Sequence, residues 1–155
     1  MSSTARFPPI EDILPHRDPM LLLDRVLGFD TTTASAQYTP RRGAWYADTE
    51  GNMPAWIGVE LMAQTVAAHN SLLRRDQGLP PKQGALLGTR RLTCTRSSFA
   101  ADQALVTHTQ VIYREASGMG AYECSIEMDG ASVASATLIV FEPDDFSTFV
   151  QASLS

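Results

Sequence analysis

The chain has 155 residues, of which 44% are hydrophobic and 19% charged, a composition typical of one globular domain spanning residues 1–155. Its net charge of −5 argues against nonspecific nucleic-acid binding. We expect a cytoplasmic protein, because no apolar run reaches the roughly 20 residues of a membrane span and no signal region opens the chain. The histidines and cysteines lack metal-site spacing, so we expect neither a metal nor another cofactor.

The first third of the chain predicts a short helical turn and two strands. Residues 7–19 are rich in proline and favour one helical turn at Ile10 to Leu14. Residues 20–27 then predict a strand, and a second strand is predicted near residues 33–38. Prolines and glycines interrupt any period in residues 40–53, which predicts a loop.

The most informative stretch runs from Pro54 to about Asp76 and predicts one long helix. Pro54 suits the first turn of a helix, and Gly78 suits its C-terminal end. Residues 56–68 are apolar at almost every position, which indicates a helix buried on most of its sides. Glu60 lies within this run, with Gln64 one turn later on the same face. Burial disfavours a charged carboxylate and poises it for proton transfer, but a structural carboxylate is an equally open interpretation.

Four strand patterns follow the helix, and we expect them to form an antiparallel meander. They cover residues 85–96, 104–114, 122–128 and 133–141, with a hairpin at Asp129-Gly130. Both cysteines, Cys94 and Cys124, are expected to be buried and reduced.

Together these elements predict an α+β domain whose core extends from about residue 10 to residue 141. A curved antiparallel sheet would wrap around the one long central helix and cover most of its apolar surface. The remaining face of the helix would need a partner, which favours a dimer.

Two segments of the chain resemble motifs of a known enzyme family. Residues 14–26, Leu-Pro-His-Arg-Asp-Pro-Met-Leu-Leu-Leu-Asp-Arg-Val, resemble the N-terminal signature of bacterial 3-hydroxyacyl-acyl-carrier-protein dehydratases. Residues 54–64 resemble their central-helix motif, Pro-Gly-Val, three residues, then Glu-x-x-Ala-Gln. The Pro-His-Arg segment, Trp56 and residues 88–91 are similar to a divergent branch associated with aryl polyene-type pathways.

This resemblance implies a fold and a reaction. The family adopts the hot-dog fold, a curved sheet around a central helix. Its members dehydrate 3-hydroxyacyl thioesters on an acyl carrier protein to trans-2-enoyl thioesters. The resemblance therefore implies a lyase whose substrate is bound to a carrier protein.

The resemblance also implies the site residues, with one departure from the family pattern. The family's catalytic histidine aligns with Tyr46, and no histidine lies between His16 and His69. Glu60 would therefore supply half of the acid–base chemistry, and Tyr46 and His16 are the candidates for the other half. His69 is predicted to face the opposite side of the helix, and His108 lies in a predicted strand. The predicted substrate-binding residues are Pro54, Ala55, Trp56 and Gln64, together with Arg90 and Arg91 for the phosphate of the pantetheine arm.

The missing histidine leaves the assembly and the reaction open. In the family, the histidine and the acid of one site come from different protomers, so we expect either a homodimer or a heterodimer with a related dehydratase subunit. A noncatalytic subunit that binds acyl chains is one alternative. An acyl thioesterase, in which Glu60 activates water or attacks the thioester, is another.

Overall fold

The computed structural model describes residues 7–146 and 150–152. Its helices are α1 (Ile10–Ile13) and α2 (Gly58–Asp76), and a 3-10 turn (Ala55–Ile57) leads into α2. Its strands are β1 (Arg25–Phe29), β2 (Thr33–Tyr38), β3 (Met53–Pro54), β4 (Ala85–Cys94), β5 (Ser98–Phe99), β6 (Leu105–Arg114), β7 (Met119–Met128) and β8 (Ala131–Phe141). Six of the strands form one sheet in the order β1-β2-β6-β7-β8-β4, with every neighbouring pair antiparallel.

The sheet curves around α2, and the core lies between them. Leu61, Met62 and Val66 of the helix are buried together with Leu105 of β6 and Ile126 of β7. The start of the helix approaches β7 closely, because a Cβ atom added at Gly58 would lie 2.9 Å from the Cδ1 atom of Ile126. This arrangement confirms the predicted hot-dog fold.

The strand order differs from the predicted meander. Of the four long strands after α2, only β6, β7 and β8 follow one another across the sheet, whereas β4 pairs with β8 at the edge opposite β1. The chain leaves β4 through β5, which pairs with β3 beside the start of α2, before it enters β6. Because the chain makes this detour, β4 and β6 do not pair with each other in the sheet.

Two local predictions are corrected by the structure. The first strand begins at Arg25 rather than at Met20, because the amides of Leu22 and Leu23 donate to a side chain of α2 instead of to a strand. Cys124 is buried as expected, and burial raises the pKa of its thiol to about 12. Cys94 is exposed, since it lies on the edge strand β4.

Part of the apolar surface remains uncovered in a single chain. The side chain of Trp56, just before α2, is 66% exposed. On β4, the side chains of Leu86, Leu87 and Leu92 are 40%, 49% and 43% exposed. No helix within the described residues has the length and apolar character needed to cross a membrane.

Candidate functional site

Glu60 lies in the first turn of α2 and faces a groove of about 750 Å³. The groove runs between the N-terminal segment and the chain around the start of β4. The residues that line it are Glu11, Asp12, Ile13, Leu14, Pro15, His16, Arg17, Glu60, Ala63, Val66, Ala67, Ser71, Pro81, Lys82, Gln83, Gly84, Ala85, Leu86, Val140, Glu142 and Phe146. In this single chain the Glu60 side chain is 40% exposed. The burial of Glu60 that the sequence predicts would therefore require cover from outside this chain.

Gln64 fixes the position of Glu60. Its Nε2 atom donates to the Oε1 atom of Glu60 at 3.0 Å and to the carbonyl of Met20 at 2.8 Å. Its own Oε1 atom accepts from the amides of Leu22 at 3.0 Å and Leu23 at 3.3 Å. Gln64 is fully buried, so these contacts tie the N-terminal segment to the helix and hold one oxygen of Glu60 in place.

His16 is the histidine that the fold brings to Glu60. Its Nε2 atom lies 3.9 Å from the Oε1 atom of Glu60, and its side chain is 29% exposed. Its Nδ1 atom is buried and has no hydrogen-bond partner among the described residues. Arg17 shapes the loop that presents His16, because its Nη1 atom donates to the carbonyls of Leu14 at 2.8 Å and His16 at 2.7 Å. A carboxyl group and an imidazole that face one groove can together give and take protons.

Tyr46 lies elsewhere, in the packed core of the chain. Its hydroxyl is hydrogen-bonded to the hydroxyl of Tyr38 and accepts from the amide of Arg41 at 3.0 Å. Burial, reinforced by the Tyr46 hydrogen bond, raises the pKa of Tyr38 well above its ordinary value, so Tyr38 stays protonated. Tyr46 is not among the described residues that line the groove. Its role in the site stays a prediction.

The other predicted residues at the start of α2 are placed by backbone contacts. Pro54 pairs with Ser98, and the amide of Ala55 donates to the carbonyl of Ser97 at 2.9 Å. Ala55 is buried, whereas Trp56 projects from the surface. Their roles in substrate binding stay predictions.

Arg90 and Arg91 are exposed at an irregularity of the edge strand β4. The register with β8 shifts between Arg90 and Thr93, and Arg91 has a positive φ of 56°. Such bulges redirect the side chains of a strand. The contact of Arg90 and Arg91 with a phosphate stays a prediction.

The two remaining histidines lie away from Glu60. His69 is buried, with its Nε2 atom 2.7 Å from the carbonyl oxygen of Asp30, and burial lowers its pKa. The Nε2 atom of His108 lies 3.0 Å from the Oε1 atom of Glu127, which is two residues beyond its paired residue Ser125 on β7. Both observations agree with the placement predicted from the helix and strand patterns.

Sequence reasoning missed the residues at the other end of the groove, Ser71, Lys82 and Glu142. Ser71 carried a signal, since it continues the helix face of Glu60 at intervals of three and four residues. Lys82 and Glu142 carried none, because they meet only through the pairing of β4 with β8.

Comparison with known proteins agrees with this fold. A family model described as ApeP dehydratase, ApeP-like, matches residues 8–151. The 3-hydroxyacyl-[acyl-carrier-protein] dehydratase FabZ of Brucella ovis is 33% identical over 129 residues, which cover 80% of each chain.

Solved structures share the architecture. The dehydratase heterocomplex ApeI:P from Xenorhabdus doucetiae contains a chain that aligns with a TM-score of 0.88 and 23% identity, over 95% of this chain and 99% of that one. A hypothetical thioesterase with coenzyme A from Streptococcus pneumoniae aligns with a TM-score of 0.61 and 13% identity, over 76% and 86% of the two chains. At these identities the solved structures establish the fold alone.

The contacts of Gln64 lead to a test of stability. We expect Gln64→Leu to lower the free energy of unfolding by at least about 2 kcal/mol, because two buried amides and a carbonyl lose their partner. Urea denaturation of the two proteins measures the difference. Gln103→Leu is the matched control, since it makes the same change at an exposed position. A loss no larger than that of the control would show that residues 20–23 do not depend on this amide.

Proposed function

Because the chain belongs to the ApeP-like family of dehydratases, we propose that it supplies the acidic half of a site that dehydrates 3-hydroxyacyl groups on an acyl carrier protein. The observation that supports this most directly is Glu60, held by Gln64 at one end of a largely apolar groove. The groove has room for an acyl chain, and the proposal puts the reacting end of that chain beside this carboxyl group.

The reaction needs one base and one acid. The base removes a proton from the carbon next to the thioester carbonyl, and the acid gives a proton to the 3-hydroxyl group. The carbon–oxygen bond then breaks, water leaves, and the electron pair of the broken C–H bond forms the double bond of the trans-2-enoyl product. We assign the acid to Glu60 and the base to a histidine. The positive N-terminal end of α2 would polarise the thioester carbonyl.

A partner subunit is the proposed source of that histidine. Tyr46 occupies the aligned position here, and its hydroxyl is already engaged with Tyr38 and the Arg41 amide. The exposed leucines of β4 and the exposed Trp56 would be covered by a second, related chain. The name of the similar structure from Xenorhabdus doucetiae also describes a heterocomplex. We therefore favour a heterodimer with a related dehydratase subunit over a homodimer.

In this proposal His16 supports Glu60 and does not act as the base. At 3.9 Å from Glu60 it would orient the carboxyl group and exchange a proton with it, while the partner's histidine acts on the substrate carbon. If His16 were itself the base, the chain would need no partner histidine and would be active alone. The assay of the isolated chain separates these two arrangements.

A noncatalytic subunit that binds acyl chains is the second candidate. The engaged hydroxyl of Tyr46 favours it, because this loop then offers no proton acceptor to a substrate. The two candidates differ in the expected effect of a Glu60 substitution. Only a catalytic Glu60 would make the rate of dehydration depend on this side chain.

The activity of Glu60 variants is therefore the decisive measurement. We expect little or no dehydration by the isolated chain and rapid dehydration after mixing with its dehydratase partner. Glu60→Gln should lower kcat/KM of the mixture by at least about 100-fold, the scale on which acid catalysis contributes. The assay follows the enoyl thioester formed from a 3-hydroxyacyl carrier protein, and far-UV circular dichroism checks the fold of the variant.

Three results would contradict this assignment. Full turnover by Glu60→Gln would make Glu60 structural and support the noncatalytic subunit. Robust activity of the purified homodimer would point to His16 or Tyr46 as the base. Hydrolysis of the thioester without dehydration would favour the thioesterase.

Arg90 and Arg91 are proposed to hold the phosphate of the pantetheine arm. Replacing both by Ala should raise KM for carrier-bound substrates by about tenfold, while short free thioesters that lack the phosphate change little. Arg75→Ala, at the exposed C-terminal end of α2, is the control for the loss of a surface charge. An equal effect on both substrate types would indicate a role in stability instead.

The proposed interface along β4 can be probed through the two cysteines. Cys94 should react rapidly with a thiol reagent in the free chain and at least about tenfold more slowly in the complex, because a paired edge excludes the reagent. Cys124 is an internal control: its thiol is buried and has its pKa raised to about 12, so it should react only after unfolding. Equal rates for Cys94 in the two states would exclude β4 as the interface.

A further inference from the structure

Trp45 is an exposed aromatic residue whose polar atom binds the backbone of a distant segment. Its side chain is 52% exposed, and its Nε1 atom donates to the carbonyl oxygen of Pro19 at 2.9 Å. The two residues lie 26 positions apart in the sequence, so this hydrogen bond ties the loop before β3 to the N-terminal segment. Water could satisfy an exposed indole N–H group, so its contact with one carbonyl points to a role in fixing that carbonyl.

The loop side of this contact is well fixed, because Trp45 packs against Tyr46. The ring centroids are 5.5 Å apart at an interplanar angle of 71°, which is an edge-to-face arrangement. Tyr46 is buried, and its hydroxyl is bonded to the hydroxyl of Tyr38 and to the amide of Arg41. The carbonyl of Pro19 therefore meets a donor that is oriented by the core of the chain.

Pro19 lies inside a turn that follows His16 directly. The amides of Met20 and Leu21 both donate to the carbonyl of Arg17, at 2.8 and 3.1 Å, and close this turn. A donor at the Pro19 carbonyl holds the turn from outside. It thereby also holds the backbone from which the His16 side chain projects.

The ring of His16 depends on this backbone, because no hydrogen bond to a described residue holds the ring itself. Its Nδ1 atom is buried without such a partner, and its Nε2 atom lies 3.9 Å from the Oε1 atom of Glu60, beyond hydrogen-bond length. Glu60, in contrast, is held by Gln64, whose buried amide makes three further contacts with the backbone. A shift of the turn would therefore move His16 relative to a carboxyl group that stays in place.

We propose that Trp45 is a positioning residue, which sets the separation of His16 and Glu60 through its hydrogen bond to the carbonyl of Pro19. This rests on the proposed function, in which His16 orients Glu60 and exchanges a proton with it. Trp45 touches no reacting atom in this proposal. The loop that carries Tyr46 in place of a histidine thus supports the acidic half of the site from behind.

A contact with the partner subunit is the alternative role for Trp45. In that role the exposed ring would matter and the N–H group would not. Trp45→Phe separates the two roles, because phenylalanine keeps an aromatic ring beside Tyr46 but has no donor for the carbonyl of Pro19.

The test measures kcat and KM of Trp45→Phe in the active assembly, with the partner at saturating concentration. We expect kcat to fall about tenfold and KM for the carrier-bound substrate to change less than about twofold, because a displaced acid–base group slows the reaction without weakening binding. In a His16→Gln background the same substitution should lower kcat by less than about twofold, since the group that it positions is absent. Tyr113→Phe, which removes a polar atom from an exposed aromatic residue of β6, is the control and should keep the original kcat.

Three results would overturn the inference while the proposed function stands. The first is an unchanged kcat for Trp45→Phe. The second is a tenfold loss that persists in the His16→Gln background, which would show that Trp45 does not act through His16. The third is a change only in the partner concentration needed for half-maximal activity, which would make Trp45 an interface residue.

If the original assembly dehydrates no substrate, the proposed function fails, and histidine-ring NMR spectra of the isolated chain decide the inference. The His16 signal is the one that His16→Gln removes. Glu60→Gln should shift this signal, and in a Trp45→Phe background the shift should be at least about twofold smaller, because the two side chains are then less well aligned. An equal shift in both backgrounds would overturn the inference, and circular dichroism checks the fold of each variant.

Discussion

The buried amide of Gln64 is the interaction on which the rest of the site depends. Both of its ends are occupied: the oxygen accepts from two backbone amides, and the nitrogen donates to a backbone carbonyl and to Glu60. A buried amide without such partners would cost several kcal/mol. The two amides can be satisfied only by the oxygen, so the orientation of the group is fixed and its nitrogen must point at Glu60. One side chain thus places the carboxyl group of Glu60 and anchors the segment that presents His16.

The same packing explains why the groove has two chemically different ends. The N-terminal segment and α2 form one side of it, and the paired ends of β4 and β8 form the other. Glu60 belongs to the first turn of α2, while Glu142 lies just after the end of β8.

Much of this could be predicted from the sequence, because the features involved are local. The apolar run after Pro54 identified α2, and the spacing of Glu60 and Gln64 placed both on one face of it. The period-2 patterns located β4, β6, β7 and β8, although the position of β4 at the far edge depends on the detour through β5. The first strand is shorter than the local pattern suggests for a similar reason. A long-range contact with Gln64 replaces the strand pairing of Leu22 and Leu23.

The site was predicted less completely, because it is assembled from distant segments. The approach of His16 to Glu60 spans more than forty residues of sequence and follows only from the fold. The structure of the assembled protein with a bound, unreactive 3-hydroxyacyl thioester would test the central claim most directly. The account predicts that the carboxyl group of Glu60 lies within about 3.2 Å of the 3-oxygen, with a partner's histidine beside the carbon that loses its proton. A chain bound outside the groove, with Glu60 touching only Gln64 and His16, would contradict it.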